Sequence, residues 1–266
     1  MNDDEPQGRE LNRRELLGTV GAAGAPALGG SALAQPAGPA APASQSAAAA
    51  PKPFELEELS VRDLSAGMAA GRWTSRRLVE LYLGRIAEVD RAGAAGAGTN
   101  AIAETNPQVM EIADGLDRER AAGKLRGPLH GIPIVLKDNI DTGDRMKTTA
   151  GSLALGESVA AKDAYLVERL RAAGAVILGK TNLSEWANFR STRSTSGWSG
   201  RGGQVRNPYA LDRNPCGSSS GTGSIVGSGL LPGGLGTDTG GSVRIPAALC
   251  GCVGLKTSIG MIGRSG

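Results

Sequence analysis

Three places in this sequence hold side chains of the kind that do covalent chemistry. Lys137 follows an apolar stretch, Gly131-Ile-Pro-Ile-Val-Leu136. A serine-glycine run, Gly217-Ser-Ser-Ser-Gly-Thr-Gly223, lies some way downstream. A second serine, Ser242, follows two glycines in Gly236-Thr-Asp-Thr-Gly-Gly-Ser242. A serine hydroxyl is a poor nucleophile until a neighbour takes its proton. With a single histidine, His130, in the 266 residues, lysine becomes a candidate base alongside it. A free lysine, with a pKa of about 10.4, is mostly charged at neutral pH. Burial at a strand end would lower that value, because desolvation disfavours the charged form. The single histidine also excludes a zinc centre built on two histidines.

Two strings match well-known patterns without their physics. Gly174-Ala-Val-Ile-Leu-Gly179-Lys180-Thr181 spells a phosphate-binding loop. Such a loop needs a strand before it and a flexible interior whose amides can cradle phosphate. Here the interior is Ala-Val-Ile-Leu, which reads as the strand itself. Gly217-Ser-Ser219-Ser-Gly221 spells a nucleophile elbow, which needs a strand just before it and a histidine after it. Residues 207–216 are turn-like with two prolines, and no histidine follows Ser219.

The elements that must hold these side chains alternate in type. Ser60 is expected to cap a helix through about Ala70. Thr74 or Ser75 should cap the next, with Leu78, Val79, Tyr82, Leu83 and Ile86 on one face. Asn106-Pro107 reads as a cap with proline at the first helical position. Asp163 reads as the cap of a helix that Gly174 stops. Gly131–Leu136 and Ala175–Leu178 read as buried strands, and Val253–Lys256 as strand-like. Helices alternating with short apolar strands indicate an α/β layered fold. His130 reads as a structural hydrogen-bonder.

Composition sharpens this picture. Glycine occurs 41 times, and 19 of these fall in residues 197–266. Regular apolar anchors among them, such as Ile225, Leu235 and Ile245, favour ordered backbone brought close to a ligand over a flexible linker. Aromatic residues are only 3%, which argues against a stacking platform for nucleic acid. Residues 1–34 read as an export signal: Arg13-Arg14, then an uncharged Gly/Ala-rich stretch, then Ala32-Leu33-Ala34 ahead of Gln35. Residues 35–53, with five prolines, read as an extended linker. Removal of 1–34, three arginines against five acidic residues, would raise the formal charge from +3 to +5, too mild to argue for nucleic acid. No segment reads as a stable membrane span. Cys216, Cys250 and Cys252 read as small buried residues. Cys250 and Cys252 are too close for an unstrained disulfide, and no further metal ligands lie nearby.

The chemistry-bearing strings, taken together, resemble the amidase signature family. The matching text is Gly127-Pro-Leu-His-Gly-Ile-Pro-Ile-Val-Leu-Lys-Asp138, Gly179-Lys-Thr-Asn-Leu-Ser-Glu185, Cys216-Gly-Ser-Ser-Ser-Gly221 and Gly236-Thr-Asp-Thr-Gly-Gly-Ser-Val-Arg-Ile-Pro-Ala247. The likeness runs from about Leu56 to Gly266. It implies a mixed sheet covered by helices, no metal and no cofactor. It implies a Ser-cisSer-Lys triad, with Ser242 as nucleophile, Ser218 as bridge and Lys137 as base, and a cis peptide between Gly217 and Ser218. The backbone amides of Thr239, Gly240, Gly241 and Ser242 would bind the oxyanion. Gly217, Ser219, Thr237, Asp238 and Arg244 would support the site, with Asp238 paired to Arg244.

Asn182–Phe189 and Ser196–Gln204 resemble the peptide amidases of that family, which implies release of ammonia from a C-terminally amidated peptide, and the twin-arginine pair of the export signal places that reaction, as an expectation, in the bacterial periplasm or outside the cell. The alternative within the family is the transamidosome component, against which the export signal argues. The family's domain continues past the nucleophile, so residues 54–266 are expected to be its N-terminal part, C-terminally truncated. The alternative function is therefore a non-catalytic remnant or interaction partner. Oligomeric state and substrate are left open.

Overall fold

The computed structural model describes residues 53–91 and 98–266. The expected signal at 1–34 and the linker up to residue 52 lie outside the described residues.

Helices α1 (Val61–Ala69) and α2 (Ser75–Ile86) start where the side chains say they should. Ser60 accepts from the Asp63 amide while the Asp63 carboxylate accepts from the Ser60 amide, a reciprocal capping box. Thr74 accepts from the amide of Arg77. Strand β1 (Ile102–Thr105) and helix α3 (Val109–Ala121) follow. Asn106 does not cap α3. Its side chain accepts from the amide of Gln108 and donates to the carbonyl of Ile177, so it ties the turn to the sheet and the helix begins two residues later than the proline suggests.

Strand β2 (Pro133–Lys137) carries the lysine at its last position. Helix α4 (Tyr165–Ala172) is not capped by Asp163, whose carboxylate takes the Gly143 amide and the Arg171 guanidinium instead. Gly174 does stop it, with φ of 82°. Strand β3 (Val176–Thr181) then takes up the last six residues of the string that spelled a phosphate loop. Gly179 sits in it because a Cβ there would strike the Glu104 carbonyl oxygen of β1. A small hairpin of β4 (Trp198–Ser199) and β5 (Gly203–Gln204), helix α5 (Ser220–Gly227), strand β6 (Gly234–Leu235) and helix α6 (Arg244–Leu249) complete the elements.

The main sheet has the order β1-β3-β2-β6. β1 is antiparallel to β3, whereas β2 is parallel to both β3 and β6, so the sheet is mixed, as the family likeness implied. The two central strands, β2 and β3, are buried on both faces. Val135, Val176 and Leu178 pack with α1, α2, α3 and Ile225 of α5. Ile134, Leu136 and Ile177 pack on the other side with Val167, Ile140 and Met146. This alternation is the period-two pattern of a strand covered on both sides.

The Val253–Lys256 segment forms no strand. Val253 and Leu255 are 96% and 78% exposed, and no neighbouring strand offers them a ladder. Among the described residues the three cysteines are free, with Cys250 fully buried. None of the described helices is long and apolar enough to cross a membrane.

Candidate active site

Lys137 is the last residue of β2 and is completely buried. Its Nζ lies 2.7 Å from Ser218 Oγ and 2.7 Å from Thr237 Oγ1. Burial lowers its pKa to about 7, against the upward pull of the Asp238 charge. A neutral amine has two protons and one lone pair. It can donate to Thr237 and still accept from Ser218.

Ser218 stands on the turn that enters α5. The Gly217–Ser218 peptide is cis. Gly217 has no room for a side chain, because a Cβ would strike Ser184 Oγ. The Ser218 carbonyl accepts from the Ser184 amide at 3.1 Å, and Ser220 Oγ donates to the Cys216 carbonyl at 2.7 Å. Ser184 thus grips the turn from β3's far end, a role not assigned from the sequence although Ser184 lies in one of the matching strings.

Ser219 joins the two glycine-rich loops. Its amide donates to the Ser242 carbonyl at 3.0 Å. Its hydroxyl donates to the Thr237 carbonyl and accepts from the Thr237 amide, both at 3.2 Å. Ser219 therefore stitches the loop around Ser242 to the turn carrying Ser218. It precedes a helix, and no strand leads into it, so the elbow pattern is a coincidence of letters. Ser242 itself is half-buried at the foot of α6, and Thr239 and Gly240 are exposed at the rim.

Asp238 organises that loop from within. Its carboxylate accepts the amides of Gly241 (2.6 Å), Val243 (3.1 Å) and Arg244 (3.3 Å). Arg244 pairs with it at 3.1 Å and Lys256 at 3.3 Å. Burial opposes ionisation, but the Arg244 guanidinium and the three amides outweigh it and hold the carboxyl well below the usual carboxylate range. Lys256, expected in a strand, serves here as a second cation. The Gly241 amide, expected among the oxyanion donors, is already taken by Asp238, which closes the turn. The amides of Thr239, Gly240 and Ser242 are left for that task.

His130 takes no part. It is buried, with Nε2 2.9 Å from the Leu116 carbonyl and Nδ1 accepting from the Arg126 amide. A cavity of about 290 Å³ opens beside Ser219, Gly236 and Val243, walled by Thr222, Val226 and Ala247.

Residues 77–266 match the amidase family model. The chain belongs to the amidase signature family. Among solved structures it resembles the peptide amidase of Stenotrophomonas maltophilia, at 54% identity and a TM-score of 0.78, over 80% of this chain and 43% of that one. A probable amidase of Arabidopsis thaliana is 46% identical over 80% of this chain and 41% of its own length. A glutamyl-tRNA(Gln) amidotransferase component of Thermobifida fusca is 44% identical over 80% of this chain and 40% of its own. The chain thus spans about two-fifths of the length of these relatives.

Proposed function

We propose that this protein hydrolyses carboxylic amides through a Ser-Ser-Lys relay. Ser242 attacks the amide carbonyl. Its proton passes to Ser218 Oγ as Ser218 gives its own to the neutral Lys137 amine. The tetrahedral oxyanion is held by the amides of Thr239, Gly240 and Ser242. Collapse breaks the C–N bond, and the proton returns through Ser218 to the leaving nitrogen, which departs as ammonia or an amine. Water then repeats the cycle on the acyl-serine.

The observation that carries this reading is the buried Lys137 amine, brought down to about 7 and set 2.7 Å from the Ser218 hydroxyl. Serine becomes a nucleophile only beside a base poised near the working pH. The likeness to a peptide amidase supports C-terminally amidated peptides as substrates, with ammonia as the leaving group. Arg13-Arg14 and Ala32–Ala34 support a role outside the cytoplasm.

A fluorophosphonate probe tests the assignment. Labelling mapped to Ser242 by mass, together with ammonia release from an amidated dipeptide, is the expected result. A folded protein labelled at another serine would overturn it.

One observation favours a second reading, in which the chain is an association module. Val253, Leu255, Ile259 and Met261 are each more than 70% exposed. Apolar side chains grouped on a surface mark contact sites. A folded chain that stays unlabelled and self-associates in sedimentation would favour that reading over hydrolysis.

A further inference from the structure

The lysine of the misleading phosphate-loop string has a different use. Lys180 lies on β3 beside β2, where the register pairs Leu136 with Lys180 and Lys137 with Thr181. Paired residues share a face and successive residues alternate, so the two lysines leave opposite faces of the sheet. Lys180 is as fully buried as Lys137. Its ammonium points at the turn that leaves β2. It donates to the Ile140 carbonyl at 2.7 Å, to Thr148 Oγ1 at 3.0 Å and to the Asp138 carbonyl at 3.4 Å. That turn starts on Lys137 itself, whose carbonyl accepts the Ile140 amide at 3.0 Å.

We propose that Lys180 is a positioning residue for Lys137: its ammonium caps the Lys137–Ile140 turn and so fixes the end of β2 from which the Lys137 amine reaches Ser218. The inference rests on the role proposed for Lys137 above. All three ammonium protons have an acceptor, and none of those acceptors is a carboxylate. A buried amine used only for charge pairing would be set against a carboxylate, whereas this one gathers loop carbonyls and a hydroxyl. The same loop is nailed down from its other side. Asp138 Oδ2 accepts the amides of Thr149 and Gly151, each at 3.1 Å, and Asp138 Oδ1 pairs with Arg201 at 2.8 Å.

The two amines have opposite requirements. Lys137 must be neutral to accept a proton, and Lys180 must be charged to fill three acceptors. Burial lowers Lys180 to about 8, while the charges of Asp138, Asp144, Asp141 and Glu104 pull it back up. Burial lowers Lys137 to about 7, with Asp238 opposing. The acidic groups gathered on the Lys180 side favour its charged form, whereas Lys137 has only Asp238 to oppose its burial.

The test is the titration of Lys137 itself, read by NMR on full-length protein carrying ¹⁵N-labelled lysine. The chain has only seven lysines, and a Lys137→Ala sample identifies the signal. In Lys180→Met the turn loses its cap, water reaches the end of β2, and the Lys137 titration should rise by about one pH unit while the exposed lysines do not move. Thr148→Val removes a single acceptor and disturbs folding less. It should shift Lys137 in the same direction by about 0.3 unit. Lys137 titrating as in the wild type in folded Lys180→Met, or in Thr148→Val where the first variant does not fold, overturns the proposal. This readout needs no turnover, so the proposal can fail while Ser242 still labels, and can hold if it does not.

Discussion

Lys137 Nζ and Ser218 Oγ stand 2.7 Å apart at the buried end of β2, 81 residues apart in sequence. The contact joins a strand end to a helix-entry turn. Two further contacts fix it: Thr237 takes one amine proton, and Ser219 couples the Ser218 turn to the loop bearing Ser242.

Removing the bridge should silence the nucleophile without moving it. Ser218→Ala leaves the Ser219 amide on the Ser242 carbonyl but breaks the proton path to Lys137. Fluorophosphonate labelling of Ser242 should fall by about 10²–10⁴-fold, with the thermal midpoint little changed. Labelling within a few-fold of wild type would place the base elsewhere.

Asp238 tests the loop. Asp238→Asn keeps the shape but removes the charge that gathers three amides, Arg244 and Lys256. Stability should drop by about 1–3 kcal/mol, because the side chain is buried while Arg244 is half-exposed. Limited proteolysis should then open the chain between residues 236 and 244 first, which peptide mapping would show.

The glycines divide by what surrounds them. A Cβ on Gly221 would collide with the carbonyl oxygens of Ala101 and Asn182, whereas one on Gly240 meets nothing within 4 Å. Gly221→Ala should therefore lower the urea midpoint clearly, as overpacking costs about 1–3 kcal/mol, while Gly240→Ala should not.

Stability should vary with pH in a defined way. The folded-state pKa values of Lys137 and Lys180, about 7 and about 8, lie below the ordinary value of 10.5. Between those values the unfolded chain binds more protons, so stability rises with pH, by about 1–2 kcal/mol from each lysine between pH 7 and 9. Cys250 works the other way: burial, with smaller contributions from Cys252 and Cys216, pushes it up to about 12 from 9.0. Above pH 9 the unfolded thiol ionises first and offsets about half of the gain from the two lysines, a gain that ends only as the unfolded lysines titrate near 10.5. Urea midpoints should rise from pH 7 to 9 and level off above it. A midpoint that falls steadily from pH 7 would contradict the burial of the two amines.

The sequence made the helix starts at Ser60 and Thr74 legible because their caps act within three residues. It made β2 and β3 legible because each opens on an uninterrupted apolar run. Asn106 and Asp163 misled for one reason: each has a short polar side chain that looks like a cap, and each is claimed by a partner outside its helix, the Ile177 carbonyl or the Gly143 amide. Lys137, Ser218 and Ser242 stood out because three uncommon strings carry them in order. Lys180 and Ser184 lie in a fourth matching string, Gly179–Glu185, yet their work is done through contacts more than thirty residues away, which spacing alone does not reveal. Val253–Lys256 has the apolar alternation of a strand, but a strand needs a neighbour to bond with, and among the described residues it has none.

The most direct measurement is the rate of Ser242 labelling by a fluorophosphonate as a function of pH, in wild type and in Lys137→Ala. The account predicts a rate that rises with pH through a midpoint near 7, following loss of the Lys137 proton, and that collapses in the variant. A rate that is flat from pH 6 to 8, or a folded Lys137→Ala that labels as fast as wild type, would contradict it.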